Sequence, residues 1–78
     1  MKAFDLERAK AGDPVVCRDG SPARIICFDR LHDRCNIVAL ITTYRDCKGK
    51  FIEEVETYCN DGGYRPDGVP SGLDLMML

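Results

Sequence analysis

Asn36-Ile37-Val38-Ala39-Leu40-Ile41-Thr42-Thr43 contains five consecutive apolar residues, three of them β-branched. A run this short, with turn residues on either side, predicts a strand covered on both faces rather than a buried helix. A membrane span would need about 20 apolar residues. Fully burying Ile37, Val38, Leu40 and Ile41 contributes roughly 1.5–3 kcal/mol each. Their sum rivals the net stability of a whole small domain, about 5–15 kcal/mol. The run is therefore expected to be the central strand. It explains a fold and not an activity.

Upstream, Phe4 to Ala11 predicts a short helix. Asp5 serves as its cap, Glu7 and Lys10 complement the dipole, and Gly12 and Pro14 end it. Phe4 before the cap can staple onto Ala9. Two turns are marginal alone, so the helix leans on the core through Phe4, Leu6 and Ala9. Val15 to Arg18 and Ala23 to Phe28 read as strands joined by a hairpin turn at Asp19-Gly20. Both alternating faces of Ile25 to Phe28 are apolar, which predicts a second interior strand. A charged connection, Asp29 to Arg34, leads into the central strand.

Downstream, Arg45-Asp46-Cys47-Lys48-Gly49 reads as a turn and Phe51 to Cys59 as a strand. Phe51, Val55, Thr57 and Cys59 would line its inner face, with Glu54 and Glu56 facing water. Glu53 disturbs this pattern and calls for an exposed strand end or a bulge. Asn60-Asp61-Gly62-Gly63 is a further turn, Tyr64 can begin a short return strand, and Arg65 to Gly72 is a loop. Leu73 to Leu78 is too apolar for a free tail. Alternation suits it to an edge strand with Leu73, Leu75 and Met77 inward and Met76 and Leu78 outward.

The 78 residues thus predict a single domain, residues 1–78, mainly β (α+β). A short N-terminal helix precedes a small, strongly bent antiparallel sheet or open barrel of five or six strands. With 45% hydrophobic and 31% charged residues, the composition is that of a globular protein. A net charge of -2 gives no basic field for nucleic acid, and the absence of Trp weakens base stacking. The N-terminus carries no apolar signal-peptide core, so a cytoplasmic protein with five reduced cysteines, and no membrane association, is expected.

The string Phe4 to Gly20, with Ala23-Arg24-Ile25-Ile26, Thr57-Tyr58, Asp61-Gly62 and Leu73-Asp74-Leu75-Met76, resembles a family of small uncharacterised proteins. These are encoded by gut anaerobes and by phages or prophages. The resemblance runs along nearly the whole chain. It implies a cytoplasmic accessory protein of a mobile element and assigns no activity, cofactor or site residue.

Four groups of residues are candidates for chemistry. Successive cysteines lie eight to twelve residues apart, without the close pairs of zinc sites, although Cys35, His32 and Cys47 can meet near loops. One thiol with His32 and Asp29 or Asp33 meets the formal inventory of a nucleophilic site, but no local signature supports it. Glu53, Glu54 and Glu56 with Asp61 form an acidic patch that a solvated face explains. Arg18, Arg24, Arg30, Arg34 and Arg45 are scattered among acids, and Arg18, Arg24 and Arg45 are the candidate anion contacts. The expectation is a non-enzymatic module without catalytic residues, metal or cofactor. It would bind a protein partner, or itself, by a strand edge or through Leu73, Leu75, Met76 and Leu78. A nucleotide or anion binder using the arginines is the alternative, and a Cys/His metal site or thiol enzyme the second.

Overall fold

The computed structural model describes residues 1–45 and 49–78, and of residues 44 and 45 only the backbone. Asp46, Cys47 and Lys48, the centre of the predicted 45–49 turn, lie outside the described residues. In chain order the elements are β1 (Lys2–Ala3), α1 (Leu6–Lys10), β2 (Val15–Cys17), β3 (Ala23–Cys27), β4 (Ile37–Arg45), β5 (Lys50–Tyr58) and β6 (Leu75–Met77). They form two three-stranded antiparallel sheets, β3-β4-β5 and β1-β6-β2. The chain is mainly β, as expected, and β4 is central in its sheet. Neither sheet closes, so two open sheets replace the single bent sheet or barrel.

The division happens at the Asp19-Gly20 turn. Gly20 donates to the Cys17 carbonyl at 2.9 Å and Cys17 to the Ser21 carbonyl at 3.0 Å. The hairpin then stops after one bridge, Val16 to Pro22. Pro22 has no N–H with which to extend a ladder, and its carbonyl instead accepts from Thr42 of β4 at 2.9 Å. The chain thus leaves one sheet and enters the other. β2 pairs with β6, and β3 with β4.

Ile37, Ala39 and Ile41 point to one face of β4 and are fully buried with Cys17, Tyr58 and Leu75. The β1-β6-β2 sheet supplies Cys17 and Leu75, so it covers this face. Among the described residues the opposite face has no such layer. Val38 and Leu40 are only half-buried, and Ile26 is 53% exposed. Two-sided coverage, expected for β3 and β4, is therefore corrected to one-sided coverage, with β3 an edge strand. A chain of this size has material for one covering layer only.

The faces of β5 are also the reverse of those expected. Tyr58 turns inward, paired in register with Ile37, and is fully buried. Parity then sends Thr57, Val55, Glu53 and Phe51 outward, with Val55 65% and Phe51 71% exposed. The phenol ring carries more apolar area inward than Thr57 or Val55 would, and edge-to-face packing on Tyr64, with centroids 5.8 Å apart, adds to it. Glu53 needs no bulge on this register.

The helix is shorter than predicted. Asp5 caps it by accepting from the Arg8 N–H at 3.2 Å, Ala9 is buried, and Phe4 and Leu6 pack on the core. Phe4 lies directly over Gly62. A Cβ there would sit 2.6 Å from Phe4 Cγ, and Gly62 has φ +86°, so both space and backbone require glycine.

Asp74 fastens the 64–73 loop to both neighbouring segments. Its carboxylate accepts from the backbone N–H of Tyr64 at 2.9 Å, that of Ser71 at 3.1 Å, and Arg18 Nη2 at 3.2 Å. Its carbonyl accepts from the Arg18 N–H at 2.7 Å. Leu75 next to it donates to Gly62 at 2.8 Å. β6 that follows is the middle strand of its sheet, a correction of the edge strand expected. Leu75 and Met77 are buried, Met76 is half-buried and Leu78 is exposed. Tyr64 starts no strand.

Ile41→Ala should cost roughly 2–5 kcal/mol through lost burial and a residual cavity. Ile26→Ala, on the uncovered face, should cost less than about 1 kcal/mol. Urea denaturation of both measures the difference, and equal costs would place a second layer over Ile26. Burial by itself raises the Asp74 pKa, but the bonds from Tyr64, Ser71 and Arg18 outweigh it and hold the group below its ordinary value of 3.8. A carboxylate depressed in the fold contributes stability above its unfolded pKa and loses it as pH falls through the folded one. Asp74→Asn should therefore be less stable at neutral pH by about 1–3 kcal/mol. The gap should begin to narrow as pH falls below about 4, and close only once pH has passed through the depressed folded pKa. Urea midpoints across that range test it, and a constant gap down to the lowest pH would refute the linkage.

Candidate functional site

The outward side of the β3-β4-β5 sheet is built by strand alternation. Ile26 lies where the β3 register slips by one residue against Ala39 and Val38, a bulge that turns an edge side chain outward. Leu40 stands between Arg24 and Val55, and Val38 beside Thr57. Ile26, Val38, Leu40 and Val55 therefore form an apolar strip across three strands. Arg24 bridges the sheet above it, donating to Glu53 at 2.7 and 2.9 Å. Each partner favours the other's charged form, raising the guanidinium and lowering the carboxyl pKa. The strip is thus bordered by a locally neutral pair.

Beside β5 the strip meets a cleft of about 520 Å³ lined by Val55, Thr57, Cys35, Tyr64, Arg65 and Pro66 among others. Glu56, on the inner side of β5, accepts the Tyr64 hydroxyl and pushes its pKa up. Arg65 closes on Asp67 at 2.8 and 3.2 Å. The acidic residues do not make one patch. Glu53 faces outward to Arg24, and Glu54 and Glu56 belong to the opposite face.

The arginines proposed as anion contacts are separated. Arg18 pairs with Asp74 beside the small sheet, and Arg24 with Glu53 on the large one. The side chain of Arg45 lies outside the described residues. Neither described arginine offers an anion an uncompensated charge. The C-terminal candidates divide likewise. Leu75 is in the core, Leu73 and Met76 are half-buried, and Leu78 is exposed.

His32 organises a loop. Its Nδ1 accepts the backbone N–H groups of Arg34 at 3.1 Å and Cys35 at 2.9 Å, so that nitrogen is not available as a base. Asn36 Nδ2 donates to the carbonyls of Arg30 and His32 at 2.9 and 2.7 Å. Among the described residues no group of three or more His, Cys, Asp or Glu is placed to hold a metal. Cys47, a member of the candidate metal set, lies outside them. Cys17 is buried with its sulfur 4.0 Å from the Tyr58 hydroxyl. Burial raises both groups' pKa values.

Two features escaped the sequence reading. One is the outward strip, hidden because apolar residues on both strand faces imply two covers. The other is Cys35 with Cys59, whose sulfurs are 3.3 Å apart. Burial, reinforced by the Cys35 contact and Asp61 and opposed by Arg34, pushes Cys59 up to about 11. The hairpin arithmetic held the signal. Cys35 precedes β4 and Cys59 follows β5, so antiparallel pairing brings them to the same end.

Among the described residues no helix is long and apolar enough to cross a membrane. No curated protein and no solved structure matches the chain. The family model described as Haemophilus phage HP1 protein YO09 matches residues 1–76. With nearly every residue matched, from β1 through the core of β6, the chain belongs to the phage HP1 protein YO09 family.

Proposed function

We propose that the chain is a non-enzymatic accessory protein of a phage or prophage that works by binding another protein in the bacterial cytoplasm. The contact surface is the outward strip of the β3-β4-β5 sheet together with the adjoining stretch of β5 around Val55 and Thr57. A prophage of an anaerobic gut bacterium is the setting the Phe4 to Gly20 string favours.

One observation carries this reading. Ile26 and Val55 are each more than half exposed on the same sheet face as Val38 and Leu40. A contiguous apolar patch rimmed by polar groups is the usual mark of a binding surface. Among the described residues β5 is the last strand of its sheet, which leaves room for a partner strand to add beside it around Val55 and Thr57. This site differs from the C-terminal segment favoured by the sequence, because β6 has both edges occupied. The anion-binding alternative draws no support from Arg18 and Arg24, which are already neutralised.

Photocrosslinking in host cells tests it. A photoreactive residue at Val55 should trap a discrete protein, and one at exposed Lys10 should not. Ile26→Asp should keep the fold by circular dichroism and weaken capture at least tenfold, a change of about 1.4 kcal/mol. Equal capture from Val55 and Lys10, or capture unaffected by Ile26→Asp, would remove the strip from the interface. A trapped second copy would make self-association the function of the face.

A further inference from the structure

The partner surface leaves one pair of reactive groups without a task. Cys35 lies two residues before β4 and Cys59 directly after β5, so the pair closes the open end of their hairpin. Both backbones are pinned. Cys35 donates to His32 Nδ1 at 2.9 Å, and its carbonyl accepts from Arg30 Nη1 at 3.3 Å. Cys59 donates to the Gly63 carbonyl and accepts from the Gly62 N–H, both at 2.9 Å. The sulfurs, 3.3 Å apart, need to approach by little more than about 1 Å to reach a bonded length near 2.05 Å.

Access is unequal. Cys35 is 4% exposed, whereas Cys59 is half-buried. A reagent in solution meets Cys59, and Cys35 is reached from Cys59. Among the other described thiols, Cys17 is fully buried against Tyr58 and Cys27 is on β3.

We propose that Cys35 and Cys59 are an oxidisable dithiol, a modification site that a low-molecular-weight disulfide such as glutathione disulfide closes into an intramolecular bond. The Cys59 thiolate attacks one sulfur of the oxidant. The oxidant's S–S bond breaks, and one glutathione leaves with the electron pair and takes up a proton. The Cys35 thiolate then attacks Cys59 Sγ in the mixed disulfide and expels the second glutathione, which is protonated in turn. Two protein thiols are oxidised to one disulfide, and one glutathione disulfide is reduced to two thiols. The raised pKa of Cys59 leaves little thiolate at neutral pH, so closure is slow and suits a lasting bond better than rapid turnover. The product clamps the base of the hairpin that carries Val38, Leu40 and Val55.

The full reduced chain is incubated, folded, with glutathione disulfide at mildly alkaline pH and analysed by mass spectrometry and peptide mapping. The expected product is a monomer lighter by about 2 Da. It should carry a Cys35–Cys59 linkage and a melting temperature raised by at least about 5 °C. Cys59→Ser and Cys35→Ser should each abolish this product, and Cys27→Ser should preserve it. The wild-type map decides the matter even where a variant fails to fold. Glutathione adducts without internal closure, linkages through Cys17, Cys27 or Cys47, or closure only after denaturation would each overturn the proposal.

Discussion

The inward face of β4 has to be covered by a layer that is short of hydrogen bonds of its own. Ile37, Ala39 and Ile41 are fully buried, yet their cover is a sheet of strands only two or three residues long. Such strands are weak in isolation. They are held in place by what joins them, and Asp74 is the chief joint. It ties the 64–73 loop, the end of β2 and the start of β6 through three bonds to its carboxylate and one to its carbonyl. Bonds to an ionised group are roughly twice as strong as neutral ones, which suits a cover with little apolar area to spare.

From this joint the remaining geometry follows. Anchoring β6 between β1 and β2 places Leu75 and Met77 over the core and brings Gly62 against Phe4. The helix is thereby fixed at both ends, by Phe4 before its cap and Ala9 within it. The same economy leaves nothing for the other side of β4. The outward apolar strip is what remains when a small chain spends its covering layer on one face.

Much of this was legible in the residues. The β-branched run fixed β4 as a central strand, Asp5 and Gly12 bounded the helix, and the loop at 65–72 followed from its prolines and glycines. Burial was misread wherever local pattern had to stand in for a count of layers. Ile25 to Phe28 is apolar on both faces, and nothing local says that only one cover exists. The β5 faces were reversed because Glu54 and Glu56 flagged one side as wet, whereas Tyr58 decided the parity by pairing with Ile37. The burial of Asp74 was not legible locally, because the donors that justify it come from Arg18, Tyr64 and Ser71. The thiol pair was missed for a similar reason. Spacing along the chain was compared with metal motifs instead of being read through the antiparallel pairing of β4 with β5.

An uncovered apolar face is also a hazard, and the residues around it show how the hazard is limited. Arg24 and Glu53 span the sheet on that face, so any apposed surface must bury or outflank an ion pair, which is costly unless the pair is satisfied. Along β5, Lys50, Glu53 and Glu54 set charges on the last strand of the sheet, a standard defence against indiscriminate strand addition. The bulge at Ile26 protects the β3 edge in a second way, by breaking its register. These devices reject flat, featureless sheets while leaving Ile26, Leu40 and Val55 open to a surface shaped around the bridge. A chain that needed only to stay dispersed would gain more from replacing those three side chains than from guarding them. The placement of those three side chains beside a guarding ion pair is what the proposed contact surface rests on.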